Sequence, residues 1–140
     1  MDIREVTNVA DIILTGVAEK PDAEMLVIGD RRITWAEMRD SAGQVANALR
    51  ASGIGPQERI AYIDKNGAEY FELAFGCSLA NSVTVAVNWR LAPPEMAYIV
   101  NDAQAKVLVI HEEFAEQLAA FEADLTHTET ILVIGDHDTH

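Results

Sequence analysis

Apolar positions recur with two different periods along this chain, and the switches between them divide it into elements. Asn8 can cap a first helix in which Val9, Ile12, Ile13 and Val17 follow helical spacing until Pro21 interrupts it. Residues 25–28 and 32–34, with Gly29-Asp30 between them, have the composition of a short hairpin. Thr34 and Glu37 then have the S/T-x-x-E spacing of a capping box, and Met38, Ala42, Val45, Ala46 and Leu49 make an apolar stripe that runs to Gly53. Beyond it the period changes. Four β-branched runs at 59–63, 83–87, 106–110 and 130–134 alternate with stretches suited to helices. Those helices are expected at 67–79, capped by Asn66, at 94–101, with proline in the first turn, and at 112–123.

A β-α-β-α-β-α-β order predicts an α/β fold. It is expected to be a mostly parallel, doubly wound sheet with flanking helices and a small N-terminal hairpin. The chain contains neither internal repeats nor low-complexity tracts. Ligands of open parallel sheets collect outside the carboxyl ends of the strands, which selects Asp64-Lys65-Asn66 and Asn88-Trp89-Arg90 for attention.

Arg90 is the binding candidate. A guanidinium just past a strand end offers a planar fork of donors to a phosphate. A purely structural reading also fits: Asn88 bonds the local turn, Trp89 packs under the next helix, and Arg90 pairs with a carboxylate such as Glu95. In the other segment, Asn66 suits a helix cap and Glu69 suits the positive end of a helix dipole, so both are read as structural.

Other fragments are weaker. Gly76-Cys77-Ser78-Leu79-Ala80 approaches the G-x-S-x-G nucleophile elbow, but it ends in alanine and lies within a predicted helix. Cys77, the only cysteine, lies on the apolar side of that helix with no histidine at short spacing, as a buried inert thiol would. Gly53-Ile54-Gly55 follows a helix and precedes a strand, the reverse of a dinucleotide loop, and reads as a C-cap and turn. Residues 136–140 hold four potential metal ligands, yet no distant Cys or His completes a set, so no metal residues are assigned. His111 would matter only opposite another histidine.

Composition narrows the function. The chain has 140 residues, 49% of them hydrophobic, the length and core of one domain. Its net charge of -13, with ten Lys and Arg scattered along it, argues against nucleic acid. The first 20 residues are too charged for a secretory signal, and no apolar run reaches the roughly 20 residues that a membrane helix needs. A soluble cytoplasmic protein is expected.

The run Val87-Asn88-Trp89-Arg90-Leu91-Ala92-Pro93-Pro94-Glu95 resembles acyl-CoA synthetases of the AMP-forming, adenylate-forming superfamily. Asn88, Arg90, Leu91 and Glu95 match the N-x-R-L-x-x-x-E pattern of acyl-CoA and aryl-CoA ligases. The likeness extends from the first helix to residues 130–134, through Ile33-Thr34-Trp35-Ala36-Glu37 and Gly53-Ile54-Gly55-Pro56-Gln57-Glu58-Arg59-Ile60-Ala61.

The resemblance implies an enzyme that uses ATP and Mg2+ to convert a carboxylic acid to an acyl-adenylate and then passes the acyl group to coenzyme A. It places Arg90 near the coenzyme A phosphates. A fatty acid is the expected substrate, because residues 87–95 look closest to fatty-acyl-CoA ligases. Residues 1–140 would then be the N-terminal part of the large adenylation domain. The family's phosphate loop, Tyr-Gly-x-Thr-Glu segment, hinge and C-terminal lysine find no match in the chain, so no catalytic residue is assigned and the chain alone is expected to be inactive. An apolar surface left open would permit a homodimer. The alternative is an independent, non-catalytic α/β module that binds a nucleotide or a protein partner.

Overall fold

The computed structural model describes residues 6–135 and divides the chain into two compact units. One contains residues up to Gln57 together with Asn66–Val83; the other contains Glu58–Lys65 and the chain from Thr84 onward.

In the first unit, α1 (Val9–Glu19) precedes an antiparallel hairpin of β1 (Glu24–Ile28) and β2 (Arg31–Thr34), followed by α2 (Trp35–Ala51) and α3 (Ala68–Ala80). Both early helices open with reciprocal caps. Asp11 N–H donates to Asn8 Oδ1 (3.1 Å) while Asn8 N–H donates to Asp11 Oδ2 (3.0 Å). Thr34 N–H likewise donates to Glu37 Oε2 (2.8 Å) and Glu37 N–H to Thr34 Oγ1 (3.2 Å).

These bonds favour the ionised carboxyls. The backbone N–H of Thr7 chiefly lowers the Asp11 pKa, and the backbone N–H of Thr34 chiefly lowers that of Glu37. Their contribution to stability is therefore complete above the unfolded carboxylate pKa and is lost as pH falls through the lower folded values. Urea midpoints measured from pH 7 down to pH 3 should fall less steeply for Asp11→Asn and Glu37→Gln than for the parent chain. Equal slopes would mean that the caps do not bind the ionised form more tightly.

α2 ends in a Schellman motif, with Gly53 N–H donating to Arg50 O (3.1 Å) and Ile54 N–H to Leu49 O (3.0 Å), and with Gly53 at φ 78°. Gly53-Ile54-Gly55 is thus the C-cap and turn that its position implied. The start of α3 differs from expectation. Its N-cap is Gly67, which supplies no side-chain cap, while Asn66 sits one residue too early in a bend. Ser78 lies inside α3 and Cys77 is buried there, so neither has the exposed strand-to-helix position of a nucleophile elbow.

Ile13, Ile33, Met38, Ala42, Ala68 and Phe75 form the core of this unit. Two glycines set its close approaches. A Cβ on Gly16 would lie 2.0 Å from Trp35 Cε3, and one on Gly76 would lie 2.6 Å from Val45 Cβ and 3.0 Å from Ala42 O.

The second unit holds the sheet. It comprises β3 (Arg59–Ile63), β4 (Val83–Ala86) from its second residue, α4 (Pro93–Asp102), β5 (Val107–His111), α5 (Ala115–Phe121) and β6 (Thr130–Ile134). The strand order is β4-β3-β5-β6, and β5 runs parallel to both β3 and β6. Ala61, Ile63, Leu108 and Ile110 share a core with Met96, Ala97 and Val100 of α4 and with Leu118 and Phe121 of α5. The alternate residues Ile60, Tyr62, Val107 and Val109 are buried as well, so the near-continuous apolar runs of β3 and β5 match burial of both sides of each strand. On β6, by contrast, the neighbours Leu132 and Val133 are both exposed, and successive strand residues point to opposite faces.

The helix expected at 112–123 is instead a 3-10 turn at Glu112–Phe114, then α5, then a second 3-10 turn at Glu122–Asp124. The tight start follows from His111, whose Nδ1 accepts the Glu113 N–H at 3.1 Å. Asn101, at the end of α4, ties down the loop after α5. Its Oδ1 accepts from Thr126 N–H (2.9 Å) and its Nδ2 donates to Asp124 O (2.8 Å).

Candidate functional site at the carboxyl edge of the sheet

β3 and β4 are neighbours, so the segments that leave their carboxyl ends emerge together. Val87 N–H donates to Tyr62 O (2.9 Å) and carries the pairing one residue past β4. The chain then turns. Asn88 accepts the Arg90 N–H on Oδ1 (3.0 Å) and the Leu91 N–H on its carbonyl (3.1 Å), an Asx-type turn that delivers the chain to α4. Proline at the first helical position and Glu95, whose Oε2 accepts the Ala92 N–H at 2.9 Å, then fix the start of α4.

Glu95 is therefore occupied by the helix terminus and does not pair with Arg90. Trp89 is half-buried and packs against Phe114, with ring centroids 5.6 Å apart. The Arg90 guanidinium carbon lies 4.0 Å from the centre of the Trp89 ring. Stacking of this kind holds the guanidinium plane against the indole and leaves its N–H edge free to meet an anion. Arg90 is exposed, and no described carboxylate forms an ion pair with it.

A second cation shares the platform. Lys65 Nζ lies 5.5 Å from the centre of the Trp89 ring and donates to both carboxylate oxygens of Glu113, at 2.5 and 2.7 Å. Its backbone is held by Asp64, whose Oδ1 accepts the Lys65 N–H (2.6 Å) and whose Oδ2 accepts the Tyr62 hydroxyl (3.0 Å). The edge thus combines an aromatic ring, two positive groups and two carboxylates: Asp64, which bonds the Lys65 N–H and the Tyr62 hydroxyl, and Glu113, which bonds the Lys65 ammonium. Such an arrangement can bind an anion by charge and directed N–H donors.

The remaining candidates do not join this edge. Glu69 accepts from Arg31 Nη1 at 3.0 Å, in keeping with a structural role. His111 bonds its own following turn, and residues 136–140 lie outside the described residues. Among the described residues, no group of three or more His, Cys, Asp or Glu could hold a metal ion. The sequence reading singled out the Asp64-Lys65-Asn66 segment but gave Lys65 no binding role, and it missed Glu113. The available signal was topological, since Lys65 follows β3 as Arg90 follows β4, at the edge where ligands collect.

Residues 14–139 match the sequence profile described as AMP-binding enzyme. The chain is 32% identical over 117 residues to a fatty acid-[acyl-carrier-protein] ligase, ScoC, of Streptomyces coeruleorubidus, covering 84% of this chain and 22% of that protein. It is 38% identical over 103 residues to a feruloyl-CoA synthase of an Amycolatopsis species, covering 74% of this chain and 21% of that one. Among solved structures, the anthranilate CoA ligase AuaEII in complex with anthranoyl-AMP superposes with a TM-score of 0.87 at 29% identity, over 96% of this chain and 27% of that chain. A Mycobacterium tuberculosis fatty acyl CoA synthetase does so with a TM-score of 0.86 at 26% identity, over 91% and 26%. The match to the profile spans nearly all of the sequence, including both segments at the carboxyl edge, and on that ground the chain belongs to the AMP-binding enzyme family.

Proposed function

We propose that this chain is the N-terminal part of the large adenylation domain of an acyl-CoA synthetase. The whole enzyme would activate a carboxylic acid, a fatty acid by preference, with ATP and Mg2+ and would transfer the acyl group to coenzyme A. The observation that carries the role of this segment is the Arg90 guanidinium, stacked on Trp89 just past a strand end and in no ion pair with a described carboxylate.

A coenzyme A phosphate fits that site chemically. The exposed edge of the guanidinium offers paired N–H donors, the match that favours arginine for phosphate. Coenzyme A supplies the thiol that accepts the acyl group, while Arg90 would orient and anchor its phosphate end. For Mg2+ the described residues offer no comparable set, so no step is assigned to the metal within this chain.

The substrate reading is supported by relatives named for fatty acids, and the feruloyl and anthranilate ligases mark aromatic acids as the competing class. The acceptor has a competitor too, because ScoC is named for transfer to an acyl carrier protein. A cytoplasmic location fits this reading, and no helix of the described residues is long and apolar enough to cross a membrane. A homodimer would use exposed apolar surface such as that around Leu132 or, on the opposite face of β6, Val133.

The purified 140-residue chain, mixed with ATP, Mg2+ and fatty acids of several lengths, should release no pyrophosphate above the acid-free background. Acid-dependent release would contradict the assignment of the catalytic groups to sequence outside this chain.

A further inference from the structure

We infer that Lys65 is a second phosphate-binding cation at the Arg90 site, and that Glu113 holds it in reserve until a polyanionic ligand displaces the carboxylate. This deepens, and rests on, the reading of Arg90 as a phosphate ligand. Measured from one ring centre, the Lys65 ammonium and the Arg90 guanidinium are within roughly 10 Å of each other, about one Debye length at ordinary salt. They come from different strand ends, so the sheet order itself brings them together. Both also lie over the same indole, whose negative face attracts cations.

The Lys65–Glu113 pair is suited to exchange. Its side chains are 53% and 49% exposed, and an ion pair so open to water and salt is weak. A phosphate dianion carries more charge than the carboxylate, and a ligand with two phosphates can present one to each cation. A net charge of -13 repels such ligands at long range, so attraction must come from locally uncompensated positive groups. Arg90 supplies one at rest and Lys65 a second once Glu113 lets go. The ligand class is therefore a molecule that bears a phosphate monoester or closely spaced phosphates.

The probe is adenosine 3′,5′-bisphosphate, titrated into the 140-residue chain and followed by the indole N–H resonance of Trp89 and by calorimetry, with adenosine as the neutral control. Glu113→Gln should tighten binding of the bisphosphate by up to about fivefold. The same change of charge next door, Glu112→Gln, should do much less. The double variant Lys65→Gln/Glu113→Gln should lose the gain.

No tightening in Glu113→Gln, no detectable binding by that variant, or a gain that survives loss of Lys65 would each overturn the inference. Arg90→Gln keeps the two readings apart. If it leaves affinity unchanged while the Lys65-dependent gain persists, the role of Arg90 fails and the displacement of Glu113 stands; if it weakens binding while Glu113→Gln has no effect, the reverse holds.

Discussion

Gly76→Ala should destabilise the protein, although alanine is the better helix former. Gly76 lies within α3, where propensity alone predicts a gain of about 1 kcal/mol. The added Cβ, however, would stand 2.6 Å from both Cβ and Cγ1 of Val45 and 3.0 Å from the Ala42 carbonyl oxygen. These contacts involve the branch point of a stiff side chain and the α2 backbone at the buried Ala42, so relief requires α2 and α3 to move apart. Overpacking costs about 1–3 kcal/mol, and a backbone atom among the contacts places this case in the upper part of that range, about 2–3 kcal/mol, so the propensity gain still leaves a net loss of about 1–2 kcal/mol. The melting temperature should fall by about 3–8 °C.

Gly43→Ala is the internal comparison. Gly43 also lies in a helix interior, but nothing is within 4 Å of the position its Cβ would take, so the same substitution should raise stability by about 0.5–1 kcal/mol. Thermal or urea unfolding of the two variants beside the parent chain decides the matter. Shifts of the same sign would mean that the helices are not in the close contact described.

The opposite signs of these two glycines show what local sequence carries and what it omits. Elements specified by neighbours in sequence were legible. Asn8 and Thr34 cap α1 and α2 with their third-residue acids, and all four strands of the sheet lie within a residue or so of the β-branched runs. Features that depend on distant partners were not. Gly43 and Gly76 look alike until Val45 and Ala42 are placed against one of them. The stretch 112–123 has the composition of one helix, but the His111 side chain competes for the Glu113 N–H and tightens its first turn.

The site divides in the same way. Arg90 was visible because its segment carries a family pattern and follows a strand. Its competing structural reading was partly right, since Asn88 does bond the turn and Trp89 does pack. It fails at the arginine itself, because Glu95 is drawn to the Ala92 N–H. Lys65 and Glu113 are 48 residues apart, and no spacing rule connects them. Only the adjacency of β3 and β5 does so.

Arg90→Gln should produce the largest functional effect of any substitution in this chain that leaves the fold intact. The side chain is exposed and makes no ion pair with a described residue, so its loss should cost little stability. On the proposed reading it would remove a charge-assisted hydrogen bond to a phosphate, worth about 1.5–3 kcal/mol. In the whole enzyme that corresponds to a KM for coenzyme A raised about tenfold to a hundredfold, with the first half-reaction spared. Arg90→Lys should recover only part, because an ammonium keeps the charge but loses the planar fork and the stack on Trp89.

The most direct test of the account is to measure both half-reactions of the whole enzyme, parent and Arg90→Gln. One assay follows acid-dependent exchange of pyrophosphate into ATP and the other follows thioester formation across a range of coenzyme A concentrations. Unchanged exchange with a KM for coenzyme A at least about tenfold higher is the expected result. An unaltered KM, or an equal loss in both half-reactions, would contradict the placing of Arg90 at the coenzyme A phosphate.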